Sequence, residues 1–162
     1  MLNEKIKDLI NNQINKEMFS AYLYLNISNF YAEKGLNGFA SWFKAQANEE
    51  LEHAMKFIEY MHGENETVSL DPIEAPKHEF NDYKEPLVLQ LNHERYVTSL
   101  INNIYKATLE VSDYRTTNFL TWFINEQMEE EKSAQDLLTK FELFAVDSRA
   151  VYQLDEKLSS RK

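Results

Sequence analysis

Residues 63–86 read GENETVSLDPIEAPKHEFNDYKEP, and they hold Gly63, Pro72, Pro76 and Pro86 in a chain with only three glycines and three prolines. The other two breakers, Gly35 and Gly38, lie just upstream, so residues 2–34 and 87–162 contain none. Those flanks lack two-residue alternation, and their apolar residues recur at helical spacing. The fold class that follows is all-α.

Working outward, the first helix runs from about Asn3 to Glu33 and stops at Lys34-Gly35, where glycine takes the left-handed conformation without penalty. A second starts near Asn37 and ends at His62-Gly63. A third begins around Pro86, well suited to a first turn, and reaches about Glu110. Ser112 or Asp113 caps a fourth, which extends to about Phe144. Asp147-Ser148 then opens a short fifth helix, about 148–158, with Val151, Leu154 and Leu158 on one face. Short links force helices one and two, and helices three and four, into antiparallel hairpins. A helix of about 26 residues is ~40 Å long. An extended chain advances up to ~3.3 Å per residue, so the segment between Gly63 and Asp82 can traverse the whole bundle. Two hairpins joined by a long crossover make the ferritin-like variant of the four-helix bundle. With 162 residues, one domain over 1–162 is expected, the bundle occupying about 3–144.

Composition narrows the function. There are 27 acidic against 17 basic residues, a formal net charge of −10. Such a field repels nucleic acid. No cysteine occurs, which removes disulfides, thiolate metal sites and cysteine nucleophiles and points to a reducing cytoplasm. The N-terminus lacks a signal-peptide apolar region, and no stretch approaches the ~20 apolar residues of a membrane span.

The seams of the four helices carry the chemistry. They read Ile6, Ile10, Gln13, Glu17, Tyr24 and Tyr31; Phe39, Phe43, Gln46, Glu50, His53, Phe57 and Tyr60; Leu87, Leu91, Glu94, Thr98, Ile101 and Tyr105; and Leu120, Phe123, Gln127, Glu130, Ala134, Leu137 and Phe141. Each mainly apolar seam includes a glutamate near one common level. Burying a carboxylate costs on the order of several kcal/mol, and neighbouring carboxylates repel. No lysine or arginine sits on the seams, so protons, water or a metal must neutralise Glu17, Glu50, Glu94 and Glu130. One seam glutamate alone usually snorkels to solvent, and Glu-x-x-His alone is a common chance match. Four in one layer with Glu50-x-x-His53 on one face match the chelate of di-iron carboxylate bundles. Carboxylates with imidazole suit iron, manganese or zinc, and oxygen chemistry at a metal pair selects a redox-active one, hence iron. Tyr24, two turns from Glu17 on the same seam, either packs or bonds a ligand. Two rivals stand beside an iron reading: a di-iron or di-manganese oxidoreductase acting on another substrate, and a helical bundle whose glutamates are protonated or hydrated.

The stretches Asn15-Lys16-Glu17-Met18-Phe19-Ser20, Ala47-Asn48-Glu49-Glu50-Leu51-Glu52-His53-Ala54, His93-Glu94 and residues 118–131 (NFLTWFINEQMEEE) give a resemblance to bacterial non-heme ferritins along essentially the whole chain. The resemblance implies that Glu17, Glu50 and His53 hold a first iron, and that Glu50 bridges to a second held by Glu94 and Glu130. Gln127 is similar to the family's second-site glutamine, and Tyr24 to its nearby tyrosine. Glu49, Glu126 and Glu129, with Glu130, resemble a third iron site. Also implied are a 24-subunit homo-oligomeric shell, oxidation of Fe(II) by O2 or H2O2, and storage of ferric mineral. Heme is not expected, because Leu51 stands where the related bacterioferritins carry a heme-ligating methionine, and Gln127-x-x-Glu130 replaces their second Glu-x-x-His.

Overall fold

The structure is a computed structural model that describes residues 1–160. Its elements are α1 (Glu4–Glu33), α2 (Asn37–Gly63), α3 (Glu85–Glu110), α4 (Tyr114–Phe144) and α5 (Ser148–Leu158). The five expected helices are all present, with no strand among the described residues. Local chemistry explains most of their ends. The Asn3 side chain accepts from the Lys5 N–H at 3.0 Å and opens α1. Gly35 follows α1 at φ +76°, the conformation a left-handed cap demands. Asp82 accepts from the N–H groups of Lys84 and Glu85 at 3.0 and 2.7 Å ahead of α3. Asp113 caps α4 through Thr116 N at 3.1 Å, and Asp147 caps α5 through Ala150 N at 2.8 Å.

The N-terminus of α2 is capped from elsewhere. Leu36, at its N-cap, offers no side-chain acceptor. Instead Asp155, buried on α5, accepts from the Phe39 N–H at 2.8 Å. A carboxylate there satisfies an orphan donor and meets the positive end of the helix dipole. The approach is so close that a Cβ on Gly38 would lie 1.8 Å from the Asp155 carbonyl oxygen. This contact seats α5 on the first turn of α2.

α1 packs on α2 and α3 on α4, and α1 also meets α3. Between the hairpins, residues 64–84 run without helix along the outside of α1. Asn11 accepts from Ser69 N at 2.9 Å, Asn15 donates to the carbonyls of Asp71 and Pro72 at 3.2 and 3.1 Å, and Asn26 donates to that of Lys77. Tyr31 donates to the Tyr83 carbonyl at 2.6 Å. Helix amides and a phenol thus satisfy an extended backbone that has no strand partner. The crossover delivers the chain from the N-terminal end of α1 to its C-terminal end, and so fixes α3 antiparallel to α1.

The core has two apolar parts. One contains Tyr24, Ile27, Tyr31, Phe39, Phe43, Leu87, Leu91 and Leu137 and continues to Val151 and Leu154 of α5. The other contains Ile6, Ile10, Ile14, Phe57, Met61, Val97, Ile101, Leu120 and Phe123. Burial of each large side chain stabilises the fold by about 1.5–3 kcal/mol. Between them lies a layer of buried polar groups.

Candidate metal centre

That layer is assembled from the middle of all four long helices. Glu17, Glu50, Glu94 and Glu130 are each 1–4% exposed, with His53 at 3% and Gln127 at 2%. Three ligand sets converge, each with one donor atom per residue lying within 4.8 Å of the others: Glu17, Glu50 and His53; Glu50, Glu94 and Glu130; and His53, Glu126 and Glu130. Glu50 belongs to the first two sets, in the position of a bridge. His53 Nδ1 faces Glu50 Oε2 at 3.3 Å and Glu17 Oε2 at 3.9 Å, while Nε2 faces Glu126 Oε1 at 3.9 Å.

Neutral amides and a phenol hold the carboxylates. Gln13 Nε2 donates to Glu17 Oε1 at 2.8 Å, and Gln46 Nε2 to Glu130 Oε2 at 2.9 Å. Tyr24 donates to Glu94 Oε1, and Gln127 Nε2 to Glu94 Oε2 at 3.2 Å. Glu17 Oε2 and Glu50 Oε1 are buried with no hydrogen-bond partner. Two orphaned carboxylate oxygens, aimed into a cluster that also holds an imidazole, fit divalent cations of intermediate hardness.

The electrostatics agree. Burial, then the neighbouring Glu94, Glu17 and Glu130, push the Glu50 carboxyl well above its ordinary range. Burial is the main cause that raises Glu94 to about 7, against the lowering effect of the Tyr24 and Gln127 hydrogen bonds. Burial, with Glu94 next, raises Glu130 to about 9. Tyr24 is raised by burial and by Glu94, so it stays a donor. These shifts favour protons on Glu50, Glu94 and Glu130 in the metal-free layer, and a cation that displaces them removes the same repulsion.

The residues of the expected third site are distributed differently. Glu126, half-buried, joins His53 and Glu130 in a ligand set, whereas neither Glu49 nor the exposed Glu129 belongs to one. Both nevertheless raise the Glu126 carboxyl, after burial, and Glu49 also raises Glu130. His93, rotated off the seam, is half-buried and shares a 2.7 Å hydrogen bond with Ser20. Burial, then Lys16, lowers it to about 4.

With this geometry in place, similarity to known proteins is informative. Residues 7–144 match the model of the ferritin-like domain. The chain belongs to the ferritin family. It is 34% identical over 160 residues to a probable bacterial non-heme ferritin-like protein of Haemophilus influenzae, covering 99% of this chain and 97% of that one. Identity to a bacterial non-heme ferritin of Campylobacter jejuni is 33%, with 99% and 96% covered. Among solved structures, an open pore ferritin from the hyperthermophilic archaeon Archaeoglobus fulgidus superposes with a TM-score of 0.98 at 37% identity, covering 100% of both chains.

Within this ferritin, the bonds of Gln13 and Gln46 to the carboxylates were not assigned from sequence, where both were read only as seam residues, although a signal exists. Gln13, Gln46 and Gln90 each precede a seam glutamate, Glu17, Glu50 and Glu94, by four residues. Gln13 bonds its own i+4 glutamate, and Gln46 reaches across to α4. Gln90 is fully buried and neither of its amide atoms has a partner.

Proposed function

We propose that this ferritin is the subunit of an iron-storage shell and a ferroxidase. The single observation that carries the reading is the sharing of buried Glu50 by two convergent ligand sets, with Glu50 Oε1 and, in the first set, Glu17 Oε2 left unpartnered. Fe(II) is the substrate. One ion takes Glu17, Glu50 and His53, and a second takes Glu50, Glu94 and Glu130. Each gives one electron to O2, which leaves as H2O2 after taking two protons; with peroxide as oxidant, the products are water. The proton held at neutral pH by Glu130, raised to about 9, leaves as Fe(II) binds and is available to the reduced oxygen, and the upward shift of Glu50 acts in the same direction. Tyr24 and Gln127 fix Glu94 by its two oxygens, so the carboxylate is preorganised.

Fe(III) then moves by way of Glu126, Glu129 and Glu49, a third site completed by Glu130, toward an acid-lined cavity where hydrolysis builds mineral. A homo-oligomer of 24 subunits and a cytoplasmic location belong to the same proposal. They are supported by family membership and by the cysteine-free composition. Among the described residues no helix is long and apolar enough to cross a membrane.

Aerobic addition of Fe(II) to the purified apoprotein tests this. Fast ferric absorbance is expected, with a soluble product that holds far more iron than the ligands could bind. Iron that stops at two or three ions per chain would leave the rival, a di-iron oxidoreductase without storage. Glu50→Ala should keep the particle size on gel filtration yet lose the rapid phase, and unchanged kinetics would remove Glu50 as the bridge.

A further inference from the structure

Gln127 does not hold Glu94 unaided. Its Nε2 also lies 3.2 Å from the Glu94 main-chain carbonyl and 3.2 Å from Thr98 Oγ1, so its two hydrogens are shared among three acceptors. Thr98 Oγ1 lies 3.0 Å from the Glu94 carbonyl and 2.8 Å from Glu131 Oε2. A hydroxyl has one hydrogen. The shorter contact, to a carboxylate, takes it, because hydrogen bonds to an ionised acceptor are the stronger ones. The lone pairs of Thr98 are then free to accept from Gln127. Every acceptor at this edge of the Gln127 amide therefore demands its NH2, so the amide cannot flip and its oxygen is turned the other way. Glu131 is in turn 3.8 Å from Arg95 at the surface. A hydrogen-bonded chain joins Glu131, Thr98, Gln127 and Glu94, with Gln127 donating toward both ends, and links α3 to α4 at the level of the centre.

We propose that Thr98 is a positioning residue of the centre: it locks the Gln127 amide, and through it the orientation of Glu94, for the second metal ion. The inference rests on the two-ion reading above. It also gives a role to one member of the acidic run Glu129-Glu130-Glu131, in which only Glu130 lies on the seam. Loss of a partner behind a metal ligand lowers metal affinity by about 10–100-fold. The loss expected here is at the low end, because Gln127 retains its acceptors on Glu94 when Thr98 is removed.

Anaerobic titration of the assembled apoprotein with Co(II), followed by its visible absorption, separates the two ions without turnover. Thr98→Val should weaken the second binding step about tenfold, leave the first unchanged and alter the second-site spectrum. Thr98→Ser should restore both. Equal second-step affinity and spectra in Thr98→Val and the parent would overturn the role of Thr98, as would weakening of both steps together. Thermal unfolding and gel filtration of each variant identify a folding defect, and then Thr98→Ser decides: a normal second step supports the proposal, a weakened one in a folded particle overturns it. If the parent chain itself fails to bind a second Co(II), the two-ion reading fails, independently of Thr98.

Discussion

The apolar cluster around Phe57 and the carboxylate layer above it obey the same periodicity and reach the same burial, yet they act on the fold in opposite directions. Phe57, Met61, Ile101 and Leu120 are fully buried and gain from leaving water. Glu17, Glu50, Glu94 and Glu130 are as inaccessible and lose by it. A helix seam is thus a position, not an energy. The protein devotes its centre to groups that destabilise the empty bundle and that a cation would turn to advantage.

The largest effect that can break this contrast is in the apolar half. Phe57→Ala removes a ring stacked on Phe123 at 4.1 Å between centroids and should destabilise the protein by about 3–5 kcal/mol, read as a shift in the urea midpoint. A loss below about 1 kcal/mol would mean that the cluster is not the stabilising half.

The pH dependence should come next. In the unfolded chain the layer's carboxyls titrate near the ordinary 4.5, whereas folded Glu94 and Glu130 sit at about 7 and about 9. Below the ordinary range they are protonated in both states, and the penalty is absent. As pH rises towards 9, the unfolded chain releases protons that the folded one retains, so stability falls. The metal-free unfolding midpoint should therefore drop steadily between pH 5 and pH 9, and saturating Zn(II) should reverse the drop. A midpoint that climbs across that window would show that the layer is not buried in the charged sense.

Gln90 sharpens the comparison at the smallest scale. It lies one turn from Glu94 with an unpartnered amide, and it belongs to no ligand set. Gln90→Met keeps the shape and removes the unmet polar atoms, so the metal-free protein should gain about 1–3 kcal/mol. Co(II) binding should be unaltered. A loss of stability instead would show that the amide is satisfied in solution.

The fold was legible because punctuation is scarce: with all breakers between 35 and 86, long helices and one long crossover were the only economical reading. Glu50 and His53 were legible because i and i+3 share a face. Contacts made across helices carried no local signal. Asp155 caps α2 from 116 residues away, and Asn15 and Asn26 bond crossover carbonyls more than 50 residues away. A polar side chain in such places looks like any surface residue until the backbone brings its partner within reach.

The crossover along α1 has a further meaning. Glu17, Glu50 and His53 come from the hairpin before it, and Glu94, Gln127 and Glu130 from the hairpin after it. Neither hairpin owns a complete pair of sites. A nick between Ala75 and Pro76 would yield two fragments, each with half of the centre, and a bridging ion would become the clasp between them. Metal affinity would then be read out as reassembly of a split molecule.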